Sequence, residues 1–112
     1  MKDLIDWNDF ERIMIHAGTI TKAEEFPEAR KPAYKLWVDL GELGIKQSSA
    51  QITEAYTPGQ LIGKQVVCVT NFPAKQIGPF RSEVLVTGFP NENGHVILAA
   101  PDKHVPNGSR LF

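Results

Sequence analysis

A polar stretch in the middle of the chain, Gly44 to Ile52, holds the side chains best suited to contact a ligand. Its length is that of a β-strand, so Gln47 and Ser49 point to one side while Lys46 and Ser48 point to the other. Amide, hydroxyl and ammonium groups recognise ligands through hydrogen bonds and charge. A polar edge strand that protects a sheet from aggregation has the same pattern, and the stretch alone does not separate the two interpretations.

Catalytic and metal-binding arrangements are missing from the sequence. The three histidines and the single cysteine are not at metal-ligand spacing. No general base accompanies the adjacent serines Ser48 and Ser49, and the glycines do not form a phosphate-binding loop. Glu24 and Glu25 are neighbours in sequence and therefore diverge. We predict a protein that is not an enzyme and that needs no cofactor and no metal.

The length and composition indicate one globular domain. A chain of 112 residues with 42% hydrophobic residues can build a single modest core, so we expect one domain over residues 1–112. No apolar run has the length of a bilayer span, and the first residues lack a signal peptide's apolar segment. Cys68 has no partner for an internal disulfide, which suits a reducing compartment. We expect a cytoplasmic location without membrane insertion.

The charges are unevenly distributed although the net charge is only −1. Residues 1–28 carry three basic and seven acidic side chains, whereas residues 29–81 carry seven basic and three acidic ones. A positive middle between acidic ends can present one basic face. Ordinary scatter of charges explains the same numbers, so charge alone leaves the partner open.

Short apolar and β-branched runs predict five strands and a sixth, shorter one. We place them at Ile13–Lys22, Ala33–Gly41, Gly44–Ile52, Gln65–Phe72, Glu83–Phe89 and Val96–Ala100. An N-terminal helix is expected within residues 1–12, capped by Asp6 or Asn8, and a short helix is expected at Thr53 to Pro58. Residues 95–112 are expected to form a C-terminal strand and a docking tail.

Three features of these strands carry further expectations. Gly18 predicts a bend or bulge in the first strand. In the polar stretch, only the isoleucines at its ends, Ile45 and Ile52, suit a core. The fourth strand is apolar on both faces, from Val66 to Phe72, so a helix or a second subunit must cover its outer face.

The order of three strands, a short helix and two or more strands predicts an all-β fold of the OB type. This fold is a five-stranded Greek-key barrel that binds oligonucleotides or oligosaccharides across its second and third strands. Lys35 and Trp37 on the second strand would then share the binding face with the polar stretch. We expect short helical turns around the barrel and extra terminal elements that serve dimerisation.

Several stretches together resemble the tRNA-binding OB domain that is appended to some methionyl- and phenylalanyl-tRNA synthetases. The overall length and the closing residues resemble the CsaA family, small proteins described as export-related chaperones. The resemblance covers nearly the whole chain from about Phe10. It is carried by Gly18-Thr-Ile20, Lys46-Gln-Ser-Ser-Ala-Gln-Ile52, Leu61-Ile-Gly-Lys64, Asn71-Phe-Pro73, Gly78 to Ser82 and Pro101-Asp to Gly108.

The resemblance implies a set of tRNA-facing residues on the third strand and in the following loop. These positions are Lys46, Gln47, Ser48, Ser49, Asn71, Pro73, Lys75, Arg81 and Ser82. For Asn71 and Pro73 there is also a purely structural interpretation, because asparagine and proline favour turns without any ligand. Met14-Ile-His16 departs from the family's usual Asp-Ile-Arg, which removes an ion pair or phosphate contact at that place.

The resemblance implies a homodimer that binds tRNA by its structure rather than its sequence, with chaperone activity of the CsaA kind. The alternative is a protein-export chaperone that binds exposed apolar segments of unfolded proteins or preproteins and works with the secretion machinery. Trp37, Phe80 and Phe89 form the candidate surface for such clients. Both functions are compatible with one chain.

Overall fold

The computed structural model describes residues 3–112, and within this range the chain forms nine short strands and two short helices. A 3-10 turn, Gly41–Leu43, joins the second strand to the third. The elements are α1 Trp7–Glu11, β1 Ile15–Glu25, β2 Tyr34–Asp39, β3 Ile45–Ala50, α2 Pro58–Leu61, β4 Gln65–Val69, β5 Lys75–Ile77, β6 Phe80–Ser82, β7 Leu85–Val86, β8 Gly88–Pro90 and β9 Val96–Leu98.

Five antiparallel strands form a nearly closed barrel in the order β3-β2-β1-β4-β7. The gap between β3 and β7 is bridged where the Glu83 amide donates to the Gln47 carbonyl at 2.8 Å. Two hairpins, β5-β6 and β8-β9, lie beside the barrel as separate two-stranded sheets. The prediction of an all-β OB-fold with short helical turns is confirmed.

The barrel interior is filled by aliphatic side chains from every main strand and from α2. Ile20, Leu36, Val66 and Leu61 are completely buried, and each full burial stabilises the fold by about 1.5–3 kcal/mol. Leu61 comes from α2, whose first turn is held by a capping box between Thr57 and Gln60. Every second residue of β2, from Tyr34 through Leu36 to Val38, is buried on this inner face.

β1 begins later and ends later than predicted, and its bulge lies elsewhere. The pairing with β2 shifts between Ile20 and Lys22, so Thr21 is the bulged residue rather than Gly18. Gly18 is needed for space, because a Cβ there would lie 2.6 Å from Val38 Cγ1 and 2.8 Å from the Asp39 carbonyl oxygen. The strand then continues to Glu25, which pairs with Tyr34.

The region after β4 differs most from the prediction. β4 ends at Val69, and Phe72 is 56% exposed rather than part of the strand. Residues predicted as a loop form the β5-β6 hairpin, with Gly78 in its turn at φ 55°. The predicted fifth strand is divided into β7 and β8 at Thr87. Its amide donates to the Val67 carbonyl, but the Val67 amide donates to the Ala99 carbonyl and the Thr87 carbonyl accepts from the Ala99 amide.

The same chain covers part of the outer face of β4. Val69 is buried, and Val67 is half-buried with its amide donating to the Ala99 carbonyl at 3.2 Å. Ile52 is buried as expected, whereas Ile45, the first residue of β3 after the 3-10 turn, is 59% exposed. The expectation that Ile45 belongs to the core was therefore wrong.

The C-terminal residues pair with the half of β1 that β2 leaves free. The Ala17 amide donates to the Ser109 carbonyl at 2.9 Å, and the Leu111 amide donates to the Ile15 carbonyl at 2.8 Å.

Of the two predicted caps of α1, Asp6 is the one found. Between residues 3 and 112, none of the helices is long and apolar enough to cross a membrane.

Candidate nucleic-acid interface

The outer faces of β2 and β3 form a continuous polar surface. Strand pairing sets Lys35 opposite Ser49 and Trp37 opposite Gln47. The Trp37 indole N–H donates to the Gln47 side-chain oxygen at 3.1 Å, and the Gln47 amide nitrogen donates to the Arg81 carbonyl at 3.0 Å. Gln47 therefore joins β2, β3 and β6 in one fixed arrangement.

Side-chain acceptors close the edge of β3. The Gln47 backbone amide donates to the Glu83 carboxylate at 3.0 Å, and the Ser49 backbone amide donates to the Ser82 hydroxyl at 3.0 Å. These bonds take the place of a regular strand ladder. They hold Ser82 and Glu83 beside the outward-pointing side chains of β3.

An aromatic cluster supports Lys35 on this surface. The ring of Phe80 is 6% exposed and contacts Phe26 and Trp37 edge-on, with ring centres 5.4 Å and 5.8 Å apart. Lys35 Nζ lies 5.1 Å from the Phe26 ring centre, and Lys22 Nζ lies 4.6 Å from the Trp37 ring centre. Cations at these distances are attracted to the ring faces, so Lys35 is presented by a rigid base.

A groove runs along the end of β3 between two loops. It consists of two open concavities of about 440 Å³ and 590 Å³ that share Ser49, Gln51, Lys75 and Ile77. We call these two concavities the β3 groove. Residues 28–31 line one side, and Phe72, Pro73 and Ser82 to Leu85 line the other.

Cations outnumber anions along the β3 groove. Arg30, Lys31 and Lys75 line it, together with Glu28 and Glu83. One carboxylate oxygen of Glu83 accepts a hydrogen bond from the Gln47 backbone amide. Among residues 3–112, the three groove cations make no ion pair with a carboxylate. Their charge is therefore available to an anionic ligand.

Four residues expected from the sequence lie together in the β3 groove: Ser49, Pro73, Lys75 and Ser82. Lys46 lines a separate concavity of about 290 Å³ with Thr70 and Glu83. Arg81 is exposed on β6, on the face opposite to Ser82. Lys35 and Gln47 lie beside the groove on the outer face described above.

Three other expected residues have different surroundings. Ser48 is 1% exposed inside the barrel, and its hydroxyl has no hydrogen-bond partner in the described part of the chain. The side-chain oxygen and nitrogen of Asn71 each make an internal bond, accepting from the Met14 amide at 2.9 Å and donating to the Arg12 carbonyl at 2.8 Å. Phe89 is 69% exposed on β8, in a different sheet from Trp37 and Phe80.

Sequence reasoning missed several residues that line the groove, namely Gln51, Arg30, Lys31, Phe72 and Ile77. Gln51 could have been found, because it continues the alternation of Gln47 and Ser49. Phe72 gave no such signal, because the Pro73 that follows it favours an extended backbone, which a strand also has. Nothing in the local pattern places Arg30 and Lys31 beside β3.

Burial shifts the pKa of three titratable groups that do not line the groove, His16, Tyr34 and Cys68. The pKa of His16 is lowered by burial and by the neighbouring Arg110. His16 Nδ1 lies 3.0 Å from the Thr70 hydroxyl oxygen, which is itself 3.2 Å from the Met14 carbonyl oxygen. Burial raises the pKa of the Cys68 thiol to about 12, which makes it a poor nucleophile at neutral pH. The described residues hold no cluster suited to a metal ion.

A small antiparallel barrel with a polar, cationic groove beside its third strand belongs to the class of OB-fold binding domains. The sequence model described as "Putative tRNA binding domain" matches residues 15–110. The chain therefore belongs to the tRNA-binding domain family. The resemblance to synthetase-appended domains and to CsaA is confirmed.

Two solved structures cover nearly the same length. Chaperone CsaA from Bacillus anthracis str. Ames is 50% identical with a TM-score of 0.91, covering 98% of this chain and 100% of that one. CsaA chaperone protein from Picrophilus torridus is 45% identical with a TM-score of 0.90, covering 97% and 100%.

Curated relatives include much longer proteins. Methionine–tRNA ligase from Methanococcoides burtonii is 40% identical over 109 residues, which is 96% of this chain. The chain spans only 16% of that ligase.

Proposed function

We propose that this protein binds tRNA through the β3 groove and the adjoining faces of β2 and β6, and that it is not an enzyme. The observation that supports this most directly is the groove itself, where Ser49, Gln51 and Ser82 lie beside three cations. Hydroxyl and amide groups suit ribose hydroxyls and base edges, and cations suit phosphates. A cytoplasmic location follows from the proposed partner.

The residues expected from the sequence take three kinds of role in this proposal. Lys35, Lys46, Lys75 and Arg81 neutralise phosphates around the groove, and Ser49, Pro73 and Ser82 contact the RNA within it. A third set positions the interface without contacting the RNA: Gln47, Ser48 and Asn71. Ser48 is buried, and the side chains of Gln47 and Asn71 bind other groups of the protein. Recognition would depend on the shape of the tRNA, because most phosphate contacts carry no sequence information.

Filter binding over graded salt concentrations tests the groove. We expect Lys31→Ala with Lys75→Ala to weaken tRNA binding and to reduce the slope of log affinity against log salt by about 1–2, since each phosphate contact contributes about 0.7–0.9. Lys64→Ala with Lys103→Ala removes the same charge from a different concavity, which shares no residue with the groove, and serves as the control.

Two results would contradict the proposal. Equal affinity of the unaltered protein for tRNA and heparin would exclude specific recognition. Equal effects of the groove pair and the control pair would show that net charge, rather than the groove, determines binding. A third pair, Lys46→Ala with Arg81→Ala, should also reduce the salt slope, and an unchanged slope would remove these two from the set of phosphate contacts.

A second candidate function is the chaperone activity for which the two similar CsaA structures are named. Exposed apolar side chains favour it, including Trp7 at 65% exposed, Phe89 at 69% and Leu4 at 86%. Exposed apolar surface of this kind suits apolar segments of unfolded clients or of exported preproteins. Aggregation of an unfolded client protein, with and without saturating tRNA, separates the two functions. Tight tRNA binding without client protection would reject the chaperone function.

A further inference from the structure

One half of the β3 groove is apolar, although the groove as a whole is cationic. Phe72 and Pro73 form one side of the 440 Å³ concavity, and Ile77 and Leu85 complete its lining together with the buried Val84. Phe72 is 56% exposed and Leu85 is 48% exposed. Ser49, Gln51, Ser82 and Glu83 lie at the polar edge of the same concavity.

An exposed aromatic ring and an exposed leucine contribute little to the binding of phosphate and ribose groups. A nucleobase does, because its flat face stacks on aromatic side chains and gains by leaving water. Its edge also needs donors and acceptors, which Gln51 and the carboxylate of Glu83 can supply. The volume of about 440 Å³ falls within the range of about 300–1,000 Å³ for small-ligand pockets.

We propose that this concavity takes one unstacked base of the bound RNA, with Phe72 as the stacking residue and Lys75 holding the adjacent phosphate. The inference rests on the proposed function, since it names the part of the RNA that the groove recognises. It identifies the recognised feature as an unpaired nucleotide rather than a double helix, whose bases are stacked and inaccessible.

The charge of the rim favours a nucleotide over an apolar peptide as the occupant. Lys75 is shared with the second concavity, where Arg30 and Lys31 continue the positive rim. An apolar peptide segment would use Phe72 and Leu85 but would leave these three cations without a partner. A nucleotide uses both halves of the groove.

Substitution of Phe72 tests the stacking contact directly. We expect Phe72→Ala to weaken binding of short single-stranded RNA by about 5- to 150-fold, the range for loss of one stacked base. Phe72→Leu keeps an apolar side chain but no ring and should lose most of this affinity, whereas Phe72→Trp should retain it. Phe112→Ala removes another exposed phenylalanine and should change nothing.

The RNA probe supplies a second, independent readout. A single-stranded hexanucleotide should bind more tightly than the same backbone with abasic positions and more tightly than a duplex of equal charge. The salt slope should not change in Phe72→Ala, because no charge is removed. The melting temperatures of the variants should match that of the unaltered protein, since more than half of Phe72 is exposed to solvent.

The outcomes separate this inference from the proposed function. If the unaltered protein binds tRNA and Phe72→Ala or Phe72→Leu binds it equally well, the base pocket is rejected while tRNA binding stands. Equal binding of abasic and intact RNA rejects it as well. If an uncharged apolar peptide binds the groove and depends on Phe72 while RNA does not, the pocket serves client proteins instead. Loss of tRNA preference in the unaltered protein rejects the proposed function itself.

Discussion

At Gly18 the closeness of β1 to the end of β2 leaves no room for a side chain. A Cβ would lie 2.6 Å from Val38 Cγ1 and 2.7 Å from Leu40 Cδ2, both on buried side chains. We expect Gly18→Ala to lower the free energy of unfolding by about 1–3 kcal/mol through overpacking. Urea unfolding followed by circular dichroism measures this.

Gly59 provides the matched control for that substitution. It lies in α2, and a Cβ there would meet no atom within 4 Å. Gly59→Ala should leave stability unchanged or raise it by about 0.5–1 kcal/mol, because alanine favours helix over glycine. Equal destabilisation by both substitutions would contradict the packing explanation at Gly18.

His16 makes stability depend on pH in one direction. Its pKa is lowered in the folded protein by burial and by Arg110, so the unfolded chain binds the proton more readily. The contribution of neutral His16 to the free energy of unfolding is therefore fully present above about 6.5, the pKa of histidine in the unfolded chain. It falls as the pH drops towards the lowered pKa of the folded protein. The other groups facing the ring are Thr70 and Cys68 from β4.

Melting temperatures of the unaltered protein and of His16→Gln between pH 5 and 7.5 test this dependence. We expect the unaltered protein to lose more stability on acidification than His16→Gln does, whereas exposed His104→Gln should follow the unaltered protein. Parallel curves for all three would show that His16 does not contribute.

At the scale of elements, one side chain fastens the segment that follows β9. Gln65 at the start of β4 donates to the Val105 carbonyl at 2.8 Å and accepts from the Val105 amide at 3.0 Å, as a neighbouring strand would. We expect Gln65→Ala to lower the free energy of unfolding by about 1–2 kcal/mol, because both backbone groups lose their partner. Exposed Gln51→Ala should stay within about 0.5 kcal/mol of the unaltered protein and serves as the stability control in the same urea unfolding.

At the scale of the whole molecule, apolar residues are exposed on the β8-β9 hairpin, and we propose that a second copy of the protein covers them. Phe89 and Ile97 are a cross-strand pair on the β8-β9 hairpin and are 69% and 39% exposed. Two tRNA sites in one dimer would also raise affinity through avidity. We expect a homodimer in sedimentation velocity at micromolar concentration.

Phe89→Ser with Ile97→Ser should shift this dimer to monomer. Leu43→Ser with Ile62→Ser removes similar apolar area elsewhere and should leave the dimer intact, because these residues lie away from the hairpin on the 3-10 turn and after α2. A monomeric unaltered protein would refute the dimer and the two-site binding model together.

Local patterns account for most of the barrel. The period of two in Tyr34, Leu36 and Val38 specifies the buried face of β2, and the same rule orients the side chains of β3 correctly. Asp6 as a helix cap is likewise a local decision. These features need no knowledge of distant residues, because strand alternation and helix capping are encoded within a few positions of the chain.

The groove depends on contacts that no local pattern contains. Asn71, two residues after the end of β4, binds Arg12 and Met14, more than fifty residues earlier, and the next residue, Phe72, is exposed. The polar stretch of β3 already carried the groups for a ligand in its sequence. Its use as one side of a groove was decided by tertiary structure, because residues 28–31 and the β5-β6 hairpin reach it only when the barrel closes.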